Sequence, residues 1–187
     1  MISAAALAAE LERYAPADEK ERESLARIHR LLAQAPDPFT REQRDHVTGS
    51  AVVARPQGEA FLLVYHRRLD RWLQPGGHVE PDDATVFETA RREAREETGI
   101  RALGAPLGAR VLDVDVHPIP ARADRPAHVH FDLRYLLTAA PAPLVPQAIE
   151  VRAAAWFSFE EALAAGADDS LARALRKAAS ALARGQR

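Results

Sequence analysis

Residues 75–100 have the sequence PGGHVEPDDATVFETARREAREETGI, and the acidic end of this stretch is its most informative part. Glu93 and Glu97 are four residues apart and therefore share one face of a helix, with Glu96 beside them. Like charges at this spacing cost an exposed helix about 0.2–0.5 kcal/mol per pair. Three carboxylates in one helical turn provide the hard oxygen ligands that Mg²⁺ and Mn²⁺ prefer. The stretch therefore predicts a helix that holds a divalent metal ion.

The same helix has a second interpretation, in which it is an ordinary solvated face. Glu88–Arg92 and Arg92–Glu96 would then be surface ion pairs. The turn Pro75–Gly77 favours the metal site, because glycines let a backbone and a phosphate approach closely. In both interpretations we expect the carboxylates to point away from the core.

Residue types mark both ends of this helix. Asp82 and Asp83 predict an N-cap and first-turn acids, which suit the free N–H groups and the positive end of the helix dipole. Gly99 followed by Ile100 is typical of a left-handed helix stop with a hydrophobic contact. We expect the helix to run from this acidic pair to about Thr98.

The segment Gly77–Ile100 resembles the Nudix box, whose pattern is G-x5-E-x7-R-E-U-x-E-E-x-G-U, where U is a bulky aliphatic residue. The second half begins at Arg92 and matches closely, with the small Ala94 at the first U position. The first half departs from the pattern, because Asp83 replaces the glutamate and eight rather than seven residues separate it from Arg92. The strand order over roughly residues 46–165 is also similar to the Nudix fold.

The resemblance implies hydrolysis of a nucleoside diphosphate linked to another moiety, or of a similar pyrophosphate, assisted by Mg²⁺ or Mn²⁺. This reaction needs charge neutralised on the phosphate oxygens and a water activated for in-line attack. The positions that match metal ligands of the family are the Gly77 carbonyl and the carboxylates of Glu93, Glu96 and Glu97. Arg92 matches the arginine that orients a glutamate. The general base stays open between Glu97 and a glutamate of a later loop, such as Glu150.

Polar and apolar side chains alternate along two predicted strands after the box, residues 111–116 and 129–137, and in the residues next to them. If the strands are neighbours, seven ionisable side chains would line one surface. They are Asp113, Asp115, His117, His128, His130, Asp132 and Arg134. A solvent-facing sheet alternates in the same way. Three histidines and no lysine favour a substrate pocket with His117, His128 and His130 as binding residues, and a transition-metal site formed by them is the less favoured alternative.

A basic loop precedes the Pro-Gly-Gly turn. Arg67, Arg68 and Arg71 lie in this loop and can meet the phosphates of a substrate, although a solvated loop would have the same composition. Arg67, Arg71 and Glu150 are therefore further candidate substrate-binding residues.

The chain divides into a helical N-terminal extension, residues 1–40, and one domain, residues 41–187. Apolar residues at helical spacing predict two helices in the extension, and we expect them to pack on the domain. From His46 onward the pattern changes to strands separated by turns. Helices around a mixed sheet predict an α/β (α+β) fold. The resemblance makes this a Nudix-like α/β/α sandwich.

Composition limits the classes of partner. The 187 residues contain 25 Lys plus Arg and 27 Asp plus Glu, so the formal charge is −2 and neither long nucleic acid nor a membrane is expected as a partner. There is no cysteine, which excludes disulfides and thiolate sites. We find no targeting segment and no apolar run of about 18 residues. These features predict a cytoplasmic protein that binds a small nucleotide or diphosphate, and the N-terminal helices can support a homodimer.

Two other functions compete with hydrolysis. An isomerase of the isopentenyl-diphosphate type has a similar fold but depends on a cysteine, which this sequence lacks. A catalytically degenerate Nudix domain would bind a nucleotide as a sensor, and the altered first half of the box favours it. The intact set of three glutamates favours the enzyme. No signature for coenzyme A, NADH or dinucleoside polyphosphates is present, so the sequence does not name the substrate.

Overall fold

The computed structural model describes residues 2–121, 125–146 and 149–185. Within these ranges the chain forms five helices and seven strands. In chain order the elements are α1 (Ala4–Leu11), α2 (Glu19–Gln34), β1 (His46–Ala54), β2 (Phe61–His66), β3 (Arg71–Leu73), β4 (Gly76–His78), α3 (Val86–Thr98), β5 (Val111–Ile119), β6 (His128–Thr138), β7 (Val151–Phe157), α4 (Phe159–Ala164) and α5 (Asp169–Gly185). In the described part of the chain, no helix combines the length and apolarity that crossing a membrane requires.

The described strands form one mixed sheet. Its main path is β3-β2-β1-β6-β5, with β4 paired to β1 and β7 paired to β2. The central pair β1 and β6 is parallel, and the other pairs are antiparallel. Every residue of β1 is buried, as expected for a strand covered on both faces.

Helices cover both faces of this sheet. On one face, Leu11 of α1 and Ile28 of α2 belong to the same buried cluster as Ala90 of α3. On the other face, Leu175 of α5 packs in a cluster with Phe61 of β2. This α/β/α arrangement confirms the fold class that the sequence predicts.

The N-terminal helices are tied to the rest of the chain by a buried carboxylate. Glu21 of α2 accepts hydrogen bonds from the hydroxyl of Tyr14 and from the Nζ of Lys177 in α5. The two helices therefore pack against the sheet and the last helix, although the domain boundary near residue 40 stays a prediction.

The box segment differs from the sequence expectation at two points. The sequence predicts a turn at Pro75–Gly77, but its two glycines lie in the short strand β4, which pairs with β1. Thr85, rather than the preceding aspartates, is the N-cap of α3, and its side chain accepts the N–H of Glu88. At the other end, Gly99 has φ 78°, which confirms the predicted left-handed stop.

Candidate functional site

A cavity of about 740 Å³ is lined by α3, β4, β5 and β6 together with the loop between β2 and β3. On one side it is lined by glutamates of α3, and on another by histidines of the strands. The carboxylate cluster is the set Asp83, Arg92, Glu93, Glu96 and Glu97. The histidine cluster is the set His46, His78, His117, His128 and His130.

Two of the three predicted metal-binding glutamates point into the cavity. Glu97 is only 5% exposed and accepts the N–H of Gly76 at 3.0 Å. The Glu93 side chain is 16% exposed, whereas that of Glu96 is 49% exposed and does not line the cavity. The expectation that these carboxylates point away from the core is wrong for Glu93 and Glu97, because β4 packs across that face of the helix.

Burial changes the protonation of the two inner glutamates. It raises the pKa of Glu93 to about 7, although the charge and hydrogen bond of Arg92 act in the opposite direction. It raises the pKa of Glu97 to about 8, with neighbouring glutamates adding to the effect. No cationic side chain in the described ranges forms an ion pair with Glu97. In this part of the chain Glu97 thus lacks a positively charged partner, which a divalent cation would supply.

Arg92 connects the members of the carboxylate cluster. It donates to both carboxylate oxygens of Asp83, at 3.1 and 3.0 Å, and to Glu93 at 3.0 Å. It also donates to Glu96 at 3.3 Å and to the carbonyl of His78 at 2.8 Å. These contacts hold Glu93 in place and tie α3 to β4, so Arg92 is a positioning residue.

Asp83 has a defined place despite the departure from the family pattern. Its side chain is buried and accepts the hydroxyl of Thr89 at 2.8 Å and the N–H of Glu80 at 2.9 Å, besides the two bonds from Arg92. Burial alone would raise the pKa of this carboxyl, but the Arg92 bonds lower it below its ordinary value. The shorter side chain and the extra loop residue therefore still give Arg92 a carboxylate partner.

The two glycines of β4 are required by close packing. A Cβ on Gly77 would collide with the carboxylate of Glu93, and one on Gly76 would collide with the side chain of Ser50. The Gly77 backbone therefore lies directly against Glu93, which suits its carbonyl as a ligand next to that carboxylate.

The strands β5 and β6 pair in the register that the alternation requires. His117 lies opposite His130, Asp115 opposite Asp132, and Asp113 opposite Arg134. Six of the seven side chains predicted to share a surface line the cavity.

Asp113 is the exception, and the expectation is wrong for it. It is fully buried and bonded to Arg134 at 3.1 Å and to Arg173 of α5 at 2.8 and 3.0 Å. A register shift in β5 between Val111 and Asp113 accompanies this change. The Arg134 network is the set Asp113, Asp115, Asp132, Arg134 and Arg173. Arg173 carries no local signal in the sequence, because its partner is 60 residues away.

The histidine cluster contains two members that the sequence analysis missed. His117, His128 and His130 line the cavity, and His78 lines it too. His46 is fully buried behind them. Burial, together with neighbouring charges, lowers the pKa of His46 to about 4, of His78 to about 3 and of His130 to about 2.

The candidate substrate-binding residues of the loops differ in whether they line the cavity. Arg71 and Glu150 line the cavity, and Glu150 pairs with Arg68 at 3.2 Å. Arg67 does not reach the cavity and lines a different pocket beside Tyr65. Both arginines lie in the turn that follows β2, and Arg68 rather than Arg67 lines the cavity.

Comparison with known proteins agrees with this geometry. The family model described as NUDIX domain matches residues 44–178. A NUDIX-family hydrolase from Clostridium perfringens is 26% identical, with 76% of this chain and 98% of that chain covered and a TM-score of 0.52. A C. elegans Ap4A hydrolase in a binary complex is 20% identical, with 74% and 98% covered and a TM-score of 0.56. The NUDIX domain of Shewanella oneidensis NrtR, complexed with ADP ribose, is 16% identical, with 82% and 97% covered and a TM-score of 0.56. No curated protein matches the chain.

Proposed function

The chain belongs to the Nudix family and is a pyrophosphohydrolase, and we propose that it requires Mg²⁺ or Mn²⁺ to cleave a nucleoside diphosphate linked to another moiety, or a similar small diphosphate. One observation supports this proposal above the others. At the cavity wall Glu97 is buried and Glu93, one helical turn before it, is half-buried. One arginine is shared among several carboxylates, and no cation is paired to Glu97 in the described ranges.

The residues present fit a hard divalent cation. The Gly77 carbonyl and the carboxylates of Glu93 and Glu97 are the inner ligands that we propose, and Glu96 is an outer one. A Cβ at Gly77 would occupy the space against Glu93, so the backbone leaves room for close coordination. A bound Mg²⁺ or Mn²⁺ neutralises charge on the phosphate oxygens and lowers the pKa of its water.

The chain's own residues position the reactants. Arg92 holds Glu93 against β4 through its bonds to Asp83 and to the His78 carbonyl. Arg71, His117, His128 and His130 line the same cavity and are the candidate contacts for the substrate. Two carboxylates are candidates for the base that takes the proton from the attacking water, the buried Glu97 and the half-exposed Glu150.

The size and charge of the molecule support a small substrate. The cavity of about 740 Å³ is within the range of small-molecule sites. The net charge of −2 gives no basic surface suited to long nucleic acid. The cytoplasmic location and the homodimer stay predictions.

The test is turnover of a panel of nucleoside diphosphate derivatives with Mg²⁺ and with Mn²⁺, measured as release of nucleotide or phosphate. We expect wild type to be active only with metal and Glu97→Gln to lose about 100-fold or more in kcat. The matched control is Glu88→Gln, on the exposed side of the same helix, which should keep wild-type activity. Metal-dependent nucleotide binding without turnover on any compound would contradict hydrolysis and favour the sensor.

A second comparison assigns the base. If Glu150 is the base, Glu150→Gln lowers kcat while the metal concentration needed for half-maximal activity stays unchanged. If Glu97 serves as both ligand and base, Glu97→Gln changes both quantities and Glu150→Gln changes neither.

A further inference from the structure

The histidine cluster brings together five imidazole rings from four strands. His46 of β1 has its ring centroid 5.1 Å from that of His78 of β4 and 5.0 Å from that of His130 of β6. His78 and His130 are 5.2 Å apart, and His128 and His117 lie 5.1 and 5.7 Å from His130. Such a group needs an explanation beyond packing, because every imidazole brings polar nitrogen atoms that require partners.

Two of these nitrogen atoms are buried without a partner. Within the described ranges, Nε2 of His46 and Nε2 of His78 have no hydrogen bond. A buried polar atom left unsatisfied costs about 1–3 kcal/mol. One nitrogen each of His46, His78 and His130 lies within 4.8 Å of the other two. The two residues with an unpartnered nitrogen, His46 and His78, therefore both belong to this group of three.

Hydrogen bonds on the far side of the rings determine which nitrogen is free. Nδ1 of His46 lies 3.1 Å from the carbonyl oxygen of Gln43. A carbonyl only accepts, so Nδ1 carries the proton and Nε2 of the neutral ring presents its lone pair inward. Metal-binding histidines are commonly oriented by such a bond from the other ring nitrogen. Nδ1 of His128 likewise lies 3.0 Å from the carbonyl of Pro126, but its Nε2 is partnered, 3.3 Å from Nε2 of His130.

We propose that His46, His78 and His130 form a second metal site, which takes Zn²⁺ or a similar transition-metal ion and is separate from the carboxylate cluster. Neutral imidazole suits zinc and its neighbours, whereas Mg²⁺ prefers oxygen. Tetrahedral bonds of about 2.0–2.1 Å place ligand nitrogens about 3.4 Å apart, so the rings close in by rotation when the ion binds.

The second site adjoins the first. His78 follows Gly77 in β4, and its carbonyl accepts from Arg92 of the carboxylate cluster. His78 and His130 also line the cavity. Three protein ligands leave one position of a zinc ion for water or for an anionic oxygen of the molecule in the cavity. This inference stands independently of the proposed hydrolysis, because its three ligands are imidazoles and not the carboxylates proposed to hold Mg²⁺ or Mn²⁺.

The experiment is calorimetric titration of ZnCl₂ into metal-free, tag-free protein in the presence of excess Mg²⁺. We expect about one equivalent to bind tightly to wild type and equally to Glu97→Gln. Zinc affinity should fall by about 100-fold or more in each of the variants His46→Gln, His78→Gln and His130→Gln. Loss of a direct ligand should cost at least as much as loss of an outer-shell partner, which costs about 10- to 100-fold. His29→Gln, on helix α2 and outside the cavity lining, is the matched control.

A spectroscopic readout separates ligand loss from misfolding. Co²⁺ bound by nitrogen ligands in a four-coordinate site should give visible d–d absorption in wild type and in Glu97→Gln, and none in a folded His130→Gln protein. Circular dichroism identifies any variant that fails to fold, and the remaining histidine variants then decide the result. Zinc binding that is absent in wild type, that is retained in all folded histidine variants, or that is lost only with Glu97→Gln would overturn the proposal.

Discussion

The carboxylate cluster and the Arg134 network both contain buried acids, but they balance charge in opposite ways. In the network, Arg134 bonds Asp113 at 3.1 Å and Asp132 at 3.1 Å, and Arg173 bonds Asp113 at 2.8 Å. In the carboxylate cluster, Arg92 is shared among several acids, and Glu97 accepts from a backbone N–H. In the Arg134 network, arginines of the chain neutralise the charge of the buried acids, whereas in the carboxylate cluster Glu97 has no such arginine among the described residues.

Asp115 and Glu97 illustrate this difference in their pKa values, whereas burial raises the pKa of Asp113 above its ordinary value in spite of Arg134 and Arg173. Burial would raise the pKa of Asp115, but its bond to His117 and the charge of Arg134 lower it below the ordinary value. Burial of Glu97 has no such compensation, and its pKa rises to about 8. Buried acids with matched cations depend on those cations to remain charged in the fold, whereas buried acids without them indicate a place for an external cation.

Removal of Arg134 should have the largest effect on this comparison. Arg134→Met removes the arginine paired with the buried Asp132 and one of the two arginines bonded to the buried Asp113, which we expect to cost about 3–5 kcal/mol of unfolding free energy. Urea denaturation measures the loss. The exposed Arg101→Met is the control and should stay within about 0.5 kcal/mol of wild type. Equal unfolding free energies of the two variants would contradict the prediction that the buried aspartates need the charge of Arg134.

Removal of one acid from the network should cost less and should depend on pH. Asp115→Asn weakens the contacts to His117 and Arg134, with an expected loss of about 1–3 kcal/mol at pH 7. Because the folded pKa lies below the ordinary 3.8, this stabilisation is present above pH 3.8 and fades as the pH falls through the folded value. Unfolding free energies from pH 2 to 7 test this, and a difference independent of pH would contradict it.

The carboxylate cluster should give the opposite pH dependence of the unfolding free energy. Glu97 binds its proton more tightly in the folded state, so metal-free wild type loses stability as the pH rises from 4.5 to about 8. Glu97→Gln keeps the acceptor for the Gly76 N–H and should be more stable than wild type at pH 8 by about 1–2 kcal/mol, since one pKa unit corresponds to about 1.4 kcal/mol.

Thermal unfolding with chelator, and then with Mg²⁺, measures this reversal. Added Mg²⁺ should raise the Tm of wild type and leave that of Glu97→Gln nearly unchanged. A Glu97→Gln protein that is less stable than wild type in chelator at pH 8 would be inconsistent with an uncompensated carboxylate.

The smallest effect is expected on the outer side of α3. Glu88 pairs with Arg91 at 3.0 Å, and both side chains are partly exposed. Glu88→Gln should cost about 0.2–0.5 kcal/mol, less in high salt, as for other exposed helix pairs. Urea denaturation at low and high salt measures this loss. A loss above about 1 kcal/mol would contradict the distinction between exposed acids on the outer side of α3 and buried acids on its inner side.

Local patterns predicted the parts of the site that are local. Glu93 and Glu97 share a helix face because of their spacing, and Gly99 ends the helix because it tolerates a positive φ. The alternation in two strands predicted that His117 and His130 share one face, and their pairing agrees. Each of these features depends on helix or strand geometry over a few residues, so a single sequence is enough to find it.

Features that depend on distant contacts were missed or misplaced. His46 and His78 meet only because β1 pairs with β4 and β6, and no spacing within the sequence marks them. Asp113 leaves the cavity because a later helix contributes Arg173, 60 residues away. Arg67 lies in the turn after β2 and lines a different pocket.

The sequence by itself determined the mixed α/β architecture, the acidic helix and the family resemblance, because periodicity and motif spacing are local properties of a chain. Only the tertiary structure decided which acids are compensated, since Arg134 and Arg173 approach Asp113 through packing of separate elements. It also decided that Glu97 is buried without a cation, because β4 closes over that face of α3. Burial and pairing together determine the charge state of a side chain, and both depend on contacts between residues far apart in sequence.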